Sequence, residues 1–261
     1  MSQTLRAIFA VSILLVVSAI TFAQSDEREV HIGVKAGLSL PNLVGGSDQE
    51  ITKDYKSRLT ANFGGFVDVQ LHKNTSLQIE VDYAPQGGKR NGIQPVTQAI
   101  PGLPVLPAGN YYFANFNNTA KLDYIEVPVM LKYRARKEKQ VGFYVNGGPY
   151  MGFLMKATTV TSGTSPLYLN NAGTVPVLIG PGTPFPAIPF DAKTDVTDDL
   201  NRFNFGVTGG GGITFKHGKN YAFIDGRVAY GLTTLQKDTI NDGKSRTGNL
   251  VFSFGYAFGV K

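Results

Sequence analysis

Eight charged side chains interrupt apolar segments at alternate positions: Lys35, Asp68, Glu80, Asp82, Glu126, Lys132, Asp225 and Arg227. Isolated charges cannot be enclosed cheaply, whereas paired, hydrogen-bonded ones can. Gathered in one interior, these residues predict an ion-pair network; the alternative use of such a row is a proton or ion path. Lys35, Asp68, Glu80, Asp225 and Arg227 fall at comparable depth, counted from the short connections. The histidines, His31, His72 and His217, all fall near the tight-turn rim, the end that carries those short connections. A general base or metal site there lacks an H-E-x-x-H or comparable spacing. Gly209 to Gly212 are not followed by the Lys-Ser/Thr of a phosphate loop and run into Ile-Thr-Phe, which favours strand bending and close packing. The chain has no cysteine, which removes disulfide and thiolate chemistry. No catalytic, cofactor-binding or metal-ligating residues are therefore assigned.

The charges need a frame, and period-two alternation supplies it. In VHIGVKAGLSL, Val30, Ile32, Val34, Ala36, Leu38 and Leu40 share one face. ANFGGFVDVQL sets Phe63, Val67, Val69 and Leu71 against Asn62, Asp68 and Gln70, and SLQIEVDY sets Leu77, Ile79, Val81 and Tyr83 against Gln78, Glu80 and Asp82. YIEVPVMLKY, VGFYVNGGPYMGF, RFNFGVTGGGGITFK and AFIDGRVAYGL continue the pattern. The last segment, LVFSFGYAFGVK, carries Leu250, Phe252, Phe254, Tyr256, Phe258 and Val260 on one face and small residues on the other.

The connections alternate strictly. Three are tight, around Lys73-Asn74, RKEKQ and HGKN; four are long, near residues 41–58, 89–119, 158–201 and 236–248. Backbone polar groups in hydrocarbon need internal partners, so a sheet persists there only as a closed ring without edges. The expected fold is all-β: an eight-stranded antiparallel transmembrane up-and-down barrel with short periplasmic turns and long extracellular loops. Its last strand would close on the first with Leu250 to Val260 against lipid. Tyr83, Tyr133, Tyr221 and Tyr256 are expected in interfacial girdles. An interior of eight strands is narrow enough for side chains to fill, so a plugged lumen is expected rather than a pore.

The N-terminal 23 residues combine an early Arg6, an apolar run from Ala7 to Ile20 and Thr-Phe-Ala, the layout of a secretory leader cleaved between Ala23 and Gln24. Residues 24–261 then form one barrel domain. The net charge of +6 is scattered among acids, not clustered as nucleic-acid binding requires. Loops 89–119 and 158–201 hold ten of the 14 prolines. They also carry Leu103, Val105, Leu106, Phe185, Ile188 and Phe190, suited either to self-packing over the mouth or to a protein partner. Partners are thus outer-membrane lipid and a possible protein at these two loops, around a monomer. Two rival readings remain: an outer-membrane enzyme acting on lipid or protein, and a secreted soluble barrel with its faces inverted around an apolar ligand.

Four segments, IGVKAGLSLPNL (Ile32 to Leu43), LDYIEVPVMLKYRA (Leu122 to Ala135), FYVNGGPYMGFLM (Phe143 to Met155) and FSFGYAFGVK, together resemble the PorT-like outer-membrane β-barrel family of Bacteroidota-type bacteria. The first is similar to that family's opening strand and the second, with Glu126 and Pro128, to its Leu-Glu-Ile-Pro-type strand. The resemblance implies an outer-membrane barrel, a structural or binding role and, from some members, support of protein secretion or surface assembly. It carries over no catalytic residue. Lys261 departs from the terminal aromatic common in such barrels, and the third long loop is larger than the family pattern implies.

Overall fold

Alternation with one oil-compatible face demands a closed sheet, and the chain forms one. The computed structural model describes residues 28–45, 50–107, 109–135, 139–240 and 242–260; the expected cleavage at Ala23 and Gln24 lies outside them. The wall strands are β1 (Val30–Val44), β2 (Thr60–His72), β3 (Thr75–Val96), β4 (Tyr112–Ala135), β5 (Val141–Ser162), β6 (Phe203–His217), β7 (Asn220–Gly231) and β8 (Arg246–Gly259). Each pairs antiparallel with its neighbours in sequence, and β8 returns to β1, from His31 opposite Gly259 to Val44 opposite Arg246. A short strand, Ala192–Asp195, adds to the far end of β5.

The pleat sorts the side chains. In β1, His31, Gly33, Lys35 and Ser39 are buried, while Ile32, Val34, Leu38 and Leu40 are exposed. In β8, Leu250, Phe252, Phe254 and Phe258 are exposed and Tyr256 half-buried, and Val260 just beyond it is exposed. Phe254 leaves 64% of its surface uncovered by protein, which excludes the inverted barrel: its aromatic rows would have to fill the centre. Tyr83, Tyr133 and Tyr256 also lie on the outer face. Tyr221 does not; it is buried in the lumen and corrects the girdle expectation. Its phase explains this, because Tyr221, Phe223, Asp225 and Arg227 are successive inward positions of β7.

The three central strands outgrow the membrane. β3 and β5 have 22 residues each and β4 has 24. At about 3.3 Å per residue, 22 residues make about 70 Å, over twice the hydrocarbon thickness of about 30 Å. The outer face records the crossing. Tyr83 and Ile125 are opposite each other, and one step outward Pro85 faces Asp123, then Gly87 faces Lys121 and Lys89 faces Thr119. The Tyr83 hydroxyl donates to Asp123 Oδ1 at 3.0 Å across this boundary. The outer connections therefore span 45–59, 97–111, 163–202 and 232–245, and the expected limits 89–119 and 158–201 were too wide. Pairing continues to Val96 opposite Tyr112, because beyond the boundary water on the outer face no longer demands apolar residues there.

Candidate functional site

Toward the tight turns, the interior holds a set of aromatic rings. Phe66, Tyr144, Tyr221 and Phe223 form one buried cluster. Glycines on the same face make room for them: a Cβ at Gly33 would overlap the Phe66 ring, and one at Gly255 the Phe223 ring. The featureless inner face of β8 is thus the space into which neighbouring strands place their aromatics.

Among these rings, with Asp68 two residues nearer the tight turn than Phe66, stands a first ionic node. Asp68, fully buried, pairs with Lys132 at 3.2 Å and with Arg134, and it accepts from the Tyr221 hydroxyl at 3.3 Å. Lys132 also donates to Gln78 Oε1 at 2.8 Å and lies 4.2 Å from the centre of the Tyr144 ring. Gln78 in turn donates to Glu80 and links this node to the next.

Glu80 is the centre of the second node. It pairs with Lys35, and both its oxygens accept from Arg227 Nη1, at 2.7 and 2.8 Å. Arg227 extends two more donors to Asp225 Oδ2, at 2.8 and 2.6 Å, while Tyr144 and Ser253 donate to the same carboxylate at 2.8 and 2.6 Å. Lys35 completes its pairing with Asp82 at 2.8 Å. Seven of the eight residues singled out from sequence are gathered in these linked nodes. Glu126 is the exception: its partner is the amide of Gln86, at 2.8 Å. Asp68 belongs to the lower node, apart from the level that Lys35, Glu80, Asp225 and Arg227 share. Sequence reasoning missed Arg134, although its position, two residues beyond Lys132, carries the inward phase.

Toward the outer mouth the lining turns apolar. Leu122, Tyr124, Leu154 and Ala157 from β4 and β5 are buried against Leu200 and Leu235, which arrive from two different outer connections. Farther out, Tyr112, Ala114 and Phe116 of β4 build a separate core with Ile100, Leu167 and Val177. Leu103, Leu106, Phe185, Ile188 and Phe190 pack against it, and Phe190 stacks on Phe116 at 4.6 Å between ring centres. Five of the six apolar loop residues singled out from sequence are thus spent on self-packing. Val105 is not: it is 85% exposed, and Leu169, Leu178 and Ile179 of the third outer connection are exposed as well.

This outer core stands on wall strands yet outside the barrel. Replacing Leu167, 1% exposed, by alanine should cost about 2–4 kcal/mol locally. Limited proteolysis should then cut within 163–202 faster than in the unaltered protein, with the heat-modified electrophoretic shift of the barrel unchanged. A lowered barrel transition would show that core and wall unfold together.

The three histidines sit at the tight-turn end. His31 Nε2 lies 3.1 Å from the Lys219 carbonyl, whereas His72 and His217 end β2 and β6. Among the described residues no group of three His, Cys, Asp or Glu side chains is placed to hold a metal ion. Gly209 to Gly212 lie wholly within β6, paired with both β5 and β7.

Solved structures with related outlines include Ail of Yersinia pestis, 13% identical with a TM-score of 0.37, covering 88% of this chain and 99% of that one. Neisserial surface protein A is 11% identical, TM-score 0.39, with 89% and 100% covered, and OprG from Pseudomonas aeruginosa is 9% identical, TM-score 0.35, with 88% and 95% covered. At these values they carry no argument about the task of this chain. No curated protein matches it in sequence. The outer membrane protein beta-barrel domain family does match, over residues 22–237. With its ring closed and its aromatic rows facing outward, this chain belongs to the outer membrane protein beta-barrel domain family and resides in the cell outer membrane.

Proposed function

We propose that this protein is a non-enzymatic, non-conducting barrel whose task is structural or binding and is carried by its outer loops. The observation behind this reading is the series of obstructions along the lumen: aromatic rings interleaved with the lower of two linked ionic nodes, the second node, and an apolar cap to which Leu200 and Leu235 contribute. A charged row committed to its own members has little freedom to pass ions. The tall β3–β5 wall and its outer core instead give residues 97–111 and 163–202 a rigid support, which suits presentation to a partner. The resemblance to PorT-like barrels supports a place in protein secretion or surface assembly, and the self-contained lumen supports a monomer. In liposomes loaded with small sugars or amino acids, the purified protein should leave efflux at the level of empty vesicles. Efflux at porin-like rates would overturn the closed lumen. Site-specific cross-linking from Val105 in intact cells should capture a discrete protein; labelling confined to lipid would overturn the partner reading.

A further inference from the structure

The outer mouth holds a cavity of about 450 Å³, within the range of about 300–1,000 Å³ that small-molecule sites occupy. It lies between the extended β3–β4 hairpin and residues 188–192. Arg90 lines it from β3, well outward of the Tyr83–Asp123 boundary. This residue is only 5% exposed, yet among the described residues no carboxylate lies within pairing distance of it. Among the described residues a single guanidinium hydrogen bond holds it, from Nη1 to the Glu50 carbonyl at 2.7 Å. A guanidinium has five N–H donors in a planar fork, so most of its capacity is left over by the described residues. Burial accordingly pushes Arg90 below its ordinary value, against weaker opposing fields from Tyr55, Asp54 and Glu50.

The same cavity is lined by apolar groups: the stacked pair Phe116 and Phe190, with Ile188, Ile100 and Val96. Tyr55 also lines it; burial raises its hydroxyl above the ordinary value, which keeps the proton in place as a donor. Asp191 and Asp242, both exposed, complete the rim. These two carboxylates disfavour a ligand of high negative charge, whereas the guanidinium requires at least one. A single negative charge on an apolar body meets both conditions.

We propose that this cavity is a binding site for a small monocarboxylate with an apolar or aromatic body, the carboxylate on Arg90 and the body against Phe116 and Phe190. The proposal goes beyond the closed-barrel reading and does not require it: solute efflux would leave the outer cavity as it is.

The test uses the full chain in detergent micelles, with phenylacetate as probe and phenylacetamide and sulfate as comparisons, followed by calorimetry and ligand-observed NMR. Phenylacetate should bind saturably, and phenylacetamide and sulfate at least about tenfold more weakly, since a charge-assisted bond of this kind is worth roughly one to two orders of magnitude. Arg90→Gln should lose about the same factor for phenylacetate. Phe190→Ala should weaken it about fivefold, in keeping with the apolar contact removed, and it decides the question if Arg90→Gln does not assemble. Several results would overturn the site: no saturable binding up to about 10 mM, equal binding of acid and amide, sulfate binding as tightly as phenylacetate, or unchanged affinity in an assembled Arg90→Gln or Phe190→Ala protein.

Discussion

Replacing Glu80 by glutamine is expected to destabilise the barrel by about 3 kcal/mol, the lower end of the roughly 3–5 kcal/mol lost when one member of a buried pair is removed. Glu80 is fully buried and is the shared partner of Lys35 and Arg227. Each cation keeps a second carboxylate, Asp82 at 2.8 Å and Asp225 at 2.6 Å, which holds the loss at that end. Urea unfolding in phosphatidylcholine vesicles measures it. The double variant Glu80→Gln with Lys35→Met should lose less than the sum of the two single changes, because the second removes the cation that the first has stranded. A Glu80→Gln protein within about 0.5 kcal/mol of the original, the ordinary range for exposed sites, would show that water reaches this node.

The second large effect lies on the opposite face of the wall. Phe254 is in the middle of β8, opposite Ala36 of β1 and Ile224 of β7, and points outward. Arginine there should cost about 2–4 kcal/mol at the depth of the bilayer centre, whereas leucine should be nearly neutral. Refolding into vesicles of defined chain length, titrated with urea, separates the two. The penalty should grow with lipid thickness and shrink in detergent, a pattern that disruption of packing inside the protein would not produce. If Phe254→Arg folds into vesicles as well as Phe254→Leu, the aromatic row of β8 does not face oil.

What could be read from the sequence follows from where two environments differ. Within the membrane the inner and outer faces contrast sharply, so the cores of all eight strands and their pairing partners stand out in the alternation. The same contrast marks Lys35, Glu80, Asp82, Asp225 and Arg227 as inward. It fails where an inward residue is apolar: Phe66, Tyr144 and Phe223 share the phase of neighbouring polar residues but look like membrane-facing aromatics, and Tyr221 was assigned to a girdle for that reason. It fails again beyond Tyr83 and Asp123, where both faces carry polar residues, glycine and proline. There the ladder of β3 and β4 continues while its signature vanishes. Arg90, two residues past Gly88, therefore looked like a loop residue. Glu126 shows a different limit. Phase places it inside, but its depth relative to the cations, which decides that its partner is Gln86, depends on strand stagger.

The seam between the first and last strands has a consequence for biogenesis. Its 14 residue pairs join positions separated by nearly the entire polypeptide, so no local contact rehearses them and the entropy of bringing the two ends together must be met in full. A nascent protein lacking residues 246–259 is not a slightly weaker cylinder; it is an open ribbon with two unsatisfied borders, which a lipid interior does not tolerate. Commitment to the bilayer therefore waits for the arrival of that terminal segment, and the cell must keep seven finished strands out of trouble until it comes.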